Sequence, residues 1–315
     1  MKTFLINSKA CSHVLLGLLV SLGAFTVNAQ TQTSFASAEE AVNALMVAIE
    51  KNDVPALGAL LGSGSEDILS SGDEVADKTG RDSFLELYKA KHSLVAENDT
   101  TMILQVGENE WPLPIPVVKQ DGKWLLDGAA GAEEIVYRRI GRNELGAIAF
   151  CNGFLDAQAE YASEGRDGNA PGIYATKLLS EPGKHDGLYW KTAEGEPASP
   201  AGDAVANATE EGYRAASGGS RTPYHGYYYR MLFAQGANAP GGALDYFAAG
   251  ELTQGIALLA WPAEYGVSGV SSFMVSHDGV IYEKDLGENS SDEAEKIQKF
   301  DPDKTWTAVG VPQNP

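Results

Sequence analysis

Residues 224–287 constrain the chain more than any other stretch, because they carry its densest run of strand signals. From Tyr227 the side chains alternate. Tyr227, Tyr229, Met231 and Phe233 fall on one face, Tyr228 and Arg230 on the other. Aromatic residues at period two are what a half-buried strand requires. Residues 256–261 are apolar without alternation and are bounded by Gly255 and Pro262. That pattern suits a central strand covered on both faces, and periodicity alone reads a short buried helix equally well. Residues 273–277 and 280–284 flank Asp278-Gly279. A two-residue Asp-Gly link between β-prone runs predicts a type I′ hairpin, because Gly tolerates the positive φ. At least three antiparallel strands follow.

The amino terminus sets the compartment. Lys2 and Lys9 precede an apolar run, 14–27, which ends in Val27-Asn28-Ala29. A basic start, an apolar centre and small residues at the end read as a secretory signal peptide, residues 1–29, cut after Ala29. The expected location is periplasmic or secreted. The run is shorter than the roughly 20 apolar residues of a membrane span, and nothing later is longer, so the exported chain is expected not to span a membrane. The formal net charge is −20, and removing Lys2 and Lys9, the only acidic or basic residues (His apart) of the first 29, leaves −22. So acidic a chain argues against nucleic acid and anionic lipid as partners. Export leaves Cys151 as the only cysteine, so no internal disulfide forms. Among Phe150, Phe154 and Leu155 it reads as a buried structural thiol rather than a nucleophile.

In chain order, Ser37 and Glu40 form a capping box ahead of a helix whose apolar side is Val42, Leu45 and Ile49. Asp53 and Pro55 start a second helix, which Gly62 ends. A third includes residues 83–91. Strands follow at 93–96, 101–106, 111–119 and 123–127, with turns at Asn98-Asp99 and Gln120-Asp121-Gly122. Pro112, Pro114 and Pro116 make the third an edge or irregular strand. Gly128-Ala129-Ala130-Gly131 reads as a joint with little to bury. The longest helical pattern spans 132–163, with Leu145, Ile148, Asn152, Leu155 and Ala159 at 3–4 spacing and Ile135 and Ile140 extending the apolar side. Residues 164–220 are loop-rich, with short helices expected at 174–179 and 204–212. A last helix runs from Ser290 to about Phe300, and the tail lays Trp306 against the sheet.

The fold class is therefore α+β in two domains. Residues 30–130 place helices before a curled antiparallel sheet, and residues 131–315 pack a long helix on an antiparallel sheet. The first half resembles the nuclear-transport-factor-2-like cone fold. Enzymes of that superfamily carry acids or His in the cone. Here the nearby residues are Asp67, Asp73, Glu74, Asp77 and His92, each reading as an exposed helix or loop residue. The second half resembles the globular part of type IV pilins and pseudopilins, although it lacks a prepilin motif and a hydrophobic half-helix. FASAEEAVNALMVAIEKND, WPLPIPVVKQDGKWLLD, RRIGRNELGAI, PGKHDGLYW, PYHGYYYR, AWPAEYGVSGV and HDGVIYEKDLG together resemble the bacterial exported family designated domain of unknown function 2950. That resemblance implies no activity. Members tend to be encoded beside another uncharacterised exported family, which implies a protein partner in the cell envelope.

No nucleophile elbow, zinc-binding H-E-x-x-H, phosphate loop or dinucleotide fingerprint is present. The catalytic candidates are His185, Asp186, His225 and Arg230, expected to converge near one end of the sheet, where a His beside a carboxylate would serve as general base or metal ligand. The plainer reading of each His is turn chemistry. Arg166-Asp167-Gly168-Asn169 resembles a fragment of a calcium loop, which makes Asp167 and Asn169 the metal candidates and calcium the only cofactor to weigh. Arg138, Arg139, Arg142 and Glu144 read as a solvated or domain-bridging ion-pair network, with an anion site as the alternative. Three functions follow: a non-enzymatic binding or scaffolding protein, a hydrolase using the His185/His225 region, and a small-ligand binder using the first-domain cone.

Overall fold

The computed structural model describes residues 32–166, 168–192, 198–202 and 222–309. Helix α1 (Ala38–Glu50) starts where Ser37 Oγ accepts the Glu40 N–H at 3.1 Å. The Glu40 carboxylate returns to the Ala36 N–H at 3.0 Å, which closes the expected box one residue further out. Asp53 caps α2 (Val54–Leu61), and Gly62 ends it. A short α3 (Glu66–Leu69) leads to α4 (Glu74–Ala90), capped by Asp73. Helix α4 begins well before the expected residue 83. Its first turns are mostly polar, so apolar periodicity registers only from Phe84 onward.

Strands β1 (His92–Asn98), β2 (Thr101–Val106), β3 (Trp111–Pro112), β4 (Val117–Gln120) and β5 (Lys123–Leu126) form an antiparallel sheet ordered β1-β2-β4-β5, with β3 also on β2. The prolines split the expected third strand in two, since each removes a ladder donor. Asp121 (φ 49°) and Gly122 (φ 80°) form the two-residue turn between β4 and β5, and both need positive φ. The inner faces of α1 and α2 and this sheet close one hydrophobic core around Val42, Leu45, Leu57, Leu104, Val117 and Leu126.

Helix α5 (Gly128–Glu164) has 37 residues and is about 55 Å long at 1.5 Å per residue. Asp127 caps it by accepting the Ala130 N–H at 3.0 Å. The expected joint at 128–131 is instead its first turn, pressed into the first core. A Cβ at Gly128 would come 2.6 Å from the Leu61 carbonyl oxygen, and one at Gly131 2.7 Å from Ile115 Cγ1. Gly128 and Gly131 stand there because nothing larger fits. The buried seam of α5 also differs from the expected one. Of the expected side, Ile140 is buried and Ile135, Ile148 and Leu155 are partly buried against the cores, but Leu145 is 69% exposed, and the fully buried seam runs through Ala147, Cys151, Phe154 and Tyr161. Two adjacent stripes compete on this helix, and the one with small residues at 147 and 151 lets it approach the sheet.

Strands β6 (Tyr227–Leu232), β7 (Ala234–Gln235), β8 (Leu244–Asp245), β9 (Phe247–Ala248), β10 (Glu251–Leu252), β11 (Ala257–Pro262), β12 (Ser271–Ser276) and β13 (Ile281–Asp285) follow, then α6 (Ser290–Lys296) and β14 (Thr307–Ala308). The main sheet is antiparallel, ordered β14-β13-β12-β11-β6. Helix α5 covers one face, where the Phe150 and Tyr229 rings meet at a tilt with centroids 3.9 Å apart. Helix α6 covers the other, where Trp261 Nε1 donates to Ser291 Oγ at 3.2 Å. Every residue of β11 is buried, as its unbroken apolar run predicts. The Asp278-Gly279 turn is not type I′. Gly279 alone has positive φ (79°), and its N–H returns to the Ser276 carbonyl at 2.9 Å. The last cross-strand pair is Val275 with Ile281, so the connection is longer than two residues.

The helix expected at 174–179 is absent; Leu179 bridges Tyr189 there. Residues 204–212 and the expected signal peptide, residues 1–29, lie outside the described residues. Helix α6 stops at Lys296, and Trp306 packs on the second core under Lys284 Nζ at 5.8 Å. Four contacts tie the two cores together. Arg139 donates to the carbonyls of Asp67 and Ile68. Asn143 Nδ2 donates to the Ser268 carbonyl at 2.9 Å. Glu144 Oε1 accepts the Val270 and Ser271 N–H groups, and Asp73 accepts that of Gly226. Among the described residues no helix is long and apolar enough to cross a membrane.

Candidate functional site

The first core is not filled. A cavity of about 270 Å³ opens between α1, α2, α4, the first sheet and the start of α5. Its wall is apolar: Leu45 and Ile49 from α1, Leu57 and Leu61 from α2, Phe84 from α4, with Leu113, Ile115 and Ile135. Helical spacing places the rest. Ala76, Gly80 and Phe84 share one face of α4, with Asp77 and Arg81 beside them. Ile135, Arg139 and Arg142 share one face of α5, with Arg138 beside them.

Four arginines and one aspartate therefore line this cavity. Arg139 is 8% exposed, and it holds the end of α3 by donating to Asp67 O at 2.5 Å and Ile68 O at 3.1 Å. Burial pulls its pKa below the ordinary value, the nearby Asp77 charge opposes that, and Arg142 adds to it. Arg81 donates to Asn52 Oδ1 at 2.7 Å and Leu69 O at 3.3 Å. Arg138 pairs with Glu134 at 2.6 Å and lies over the Trp111 ring at 4.9 Å. Arg142 is exposed and has no ion-pair partner among the described residues. Asp77 accepts the Ser71 N–H at 2.8 Å and hydroxyl at 2.7 Å. Of the expected ion-pair network, only Arg138 makes a side-chain ion pair among the described residues.

The catalytic candidates occupy other places. His185 is exposed, its ring stacked on Trp190 at 4.2 Å and its carbonyl accepting the Tyr161 hydroxyl at 2.7 Å. Asp186 binds Lys177 at 2.6 Å and accepts the Glu181 N–H at 2.9 Å. Those bonds, the Lys177 one foremost, hold its carboxyl below the usual range. His225 has φ 49° in the turn before β6, its ring edge-on to Tyr224 at 4.2 Å. It approaches α5 at Gly146, whereas His185 meets α5 at Tyr161. Fifteen residues of helix separate those points, about 22 Å along the axis. The structure therefore does not bring the two histidines into one cluster. Arg230 lies on the α6 face, donating to the Ala294 and Ile297 carbonyls and pairing with Glu295 at 3.1 Å. It secures the carboxyl-terminal end of α6.

Asn169 is exposed and donates its N–H to the Arg166 carbonyl at 2.9 Å; Asp167 lies outside the described residues. Among the described residues no three His, Cys, Asp or Glu side chains gather as a metal would require. His92 stacks on Tyr88 at 3.8 Å. Asp73, expected exposed, is 2% exposed. The sequence reading missed Arg81 and Phe84 as cavity residues. Arg81 stands four residues after Asp77 and Phe84 four after Gly80 on α4, and that spacing is the signal that finds them once α4 is known to begin at Glu74.

Fold and cavity define a class: an α+β protein with two hydrophobic cores spanned by one long helix, the first core holding an arginine-rimmed cavity. The chain belongs to the family described as protein of unknown function (DUF2950), whose model matches residues 32–309. No curated protein and no solved structure matches it.

Proposed function

We propose that this is a non-enzymatic binding protein of the cell envelope that holds a small, largely apolar molecule in the cavity of its first half. The observation that carries the reading is the cavity itself, about 270 Å³ and walled by Leu, Ile and Phe side chains. An apolar cavity of about 150 Å³ already accepts benzene, and ligand pockets begin near 300 Å³. Export rests on the signal-peptide pattern of residues 1–29. Calorimetric titration with octanoate and with 1-octanol tests the reading, using Gly80→Phe as the blocked form. Gly80 lines the cavity and has open space around a Cβ. One-to-one binding by the wild type and none by Gly80→Phe is expected; failure of both probes on the wild type contradicts it.

A second reading, a protein partner, has one observation in its favour. Tyr137 and Leu145, 62% and 69% exposed, project from the same side of α5 across the exposed Gly141. A photo-crosslinker at Leu145 that captures no envelope protein in cells counts against it.

A further inference from the structure

We propose that the ligand of this cavity is an amphipathic carboxylate, its head held by Arg139 and Arg142 and its apolar tail laid against Leu45, Ile49 and Phe84. The inference rests on the cavity reading above and adds the chemistry of the occupant.

Charge is the first argument. The chain carries −20 overall, yet the cavity is lined by four arginines and one acid. That acid, Asp77, is already engaged by the Ser71 N–H and hydroxyl. A basic concavity in an acidic protein focuses anions where the surface otherwise repels them. An alkylammonium would meet four like charges there.

Arg139 is the second. It is buried, and among the described residues no carboxylate lies within ion-pair distance of it. Its guanidinium has five N–H donors, and two contacts to carbonyl oxygens are made. A buried charge with no carboxylate in direct contact is costly, the Asp77 and Asp67 charges offset that only from a distance, and an anion beside it lowers the cost further. Burial is also what lowers the pKa of Arg139, with the Asp77 charge opposing it.

Geometry is the third. Arg142 stands one turn after Arg139 on the same face of α5, both line the cavity, and Arg142 has no ion-pair partner among the described residues. Two guanidinium forks at that spacing suit a planar carboxylate, which accepts paired N–H donors. The wall beyond them is apolar, so the rest of the ligand is hydrocarbon, branched or aromatic. A polyanion is disfavoured because its further charges would be driven against Leu and Ile side chains.

Titration of the full protein with three matched probes (octanoate, 1-octanol and octylamine) at low and high salt tests this. Octanoate is expected to bind at least about tenfold tighter than 1-octanol, with the advantage shrinking at high salt. Octylamine is expected to give no binding. Arg142→Glu, a change at an exposed residue, is expected to remove the preference for octanoate, and Arg142→Lys to restore only part of it. Equal affinities for octanoate and 1-octanol, or an unchanged octanoate affinity in Arg142→Glu, would overturn the head-group assignment and leave the cavity reading standing. Failure of all three probes would overturn the cavity reading as well.

Discussion

Asp73 and Gly226 lie 153 residues apart and are joined by a 2.8 Å hydrogen bond, the buried carboxylate accepting the glycine N–H. The other oxygen of the same carboxylate accepts the Ala76 N–H at 3.0 Å and so caps α4. One side chain thus starts the helix that walls the cavity and ties it to the turn entering the second sheet. Gly226 has φ 75°, and Asn143 and Ser268 crowd the place a side chain would take.

Asp73→Ala is accordingly expected to cost about 2–4 kcal/mol, from a lost cap worth about 1 kcal/mol and a buried N–H left without its acceptor at about 1–3 kcal/mol. Urea denaturation checks it. A loss under about 0.5 kcal/mol, the ordinary range for surface substitutions, would show the link to be incidental.

Cys151 gives a pH dependence. Burial pushes its thiol from 9.0 up to about 12. The folded state therefore holds the protonated form more tightly than the unfolded state does. Its contribution is fully present below pH 9 and is lost as pH rises from 9 toward 12, by at most about 1.4 kcal/mol per pH unit. Tyr227 and Tyr246 are also raised by burial and act in the same direction at higher pH. The test compares unfolding free energies at pH 8 and 10 for the wild type and Cys151→Ala. The wild type should lose more; parallel losses would place the thiol in solvent.

The first turn of α5 supplies a paired test. Gly131→Val is expected to cost about 1–3 kcal/mol through overpacking against Ile115 and Pro114. Gly141→Ala, on the same helix with open space at its Cβ, should stabilise by about 1 kcal/mol. Thermal unfolding of the two variants should move in opposite directions. Destabilisation by both would mean that α5 is not a continuous helix there.

Arg230 separates structure from function. Its bonds to Ala294, Ile297 and Glu295 lie on the α6 face. Arg230→Ala should lower stability by about 2–3 kcal/mol, the scale of hydrogen bonds from a charged group. Octanoate affinity should stay within about twofold, as expected for independent sites. A larger drop in binding would tie the sheet to the cavity.

How much of this was legible beforehand depended on whether the signal was local. The caps at Ser37 and Asp53 and the buried run of β11 are short-range patterns and stand, while the alternation from Tyr227 marks a strand, Tyr227–Leu232, that is covered on both faces rather than half-buried. The start of α4 was hidden because a polar amphipathic helix has little apolar periodicity in its first turns. The α5 seam was misassigned because Leu145 and Ala147 both offer helical stripes, and only the distance to the sheet chooses between them. Gly128 and Gly131 looked like a joint because small size marks close approach as well as looseness. A ligand site in the first-domain cone was an expectation, but its full lining was out of reach for a further reason. Arg81 and Arg139 stand 58 positions apart in the sequence, and only tertiary packing brings both to one cavity. His185, His225 and His277 stand beside Asp or Gly, where turn chemistry and catalysis use the same residue types, so the sequence offered both readings.

The most direct test of the cavity as a ligand site is a crystal structure grown with octanoate. The account predicts one octanoate between α1, α4 and α5, its carboxylate on Arg139 and Arg142 and its chain along Leu45, Ile49 and Phe84. A cavity collapsed onto its own side chains, or octanoate bound elsewhere with this space empty, would contradict it.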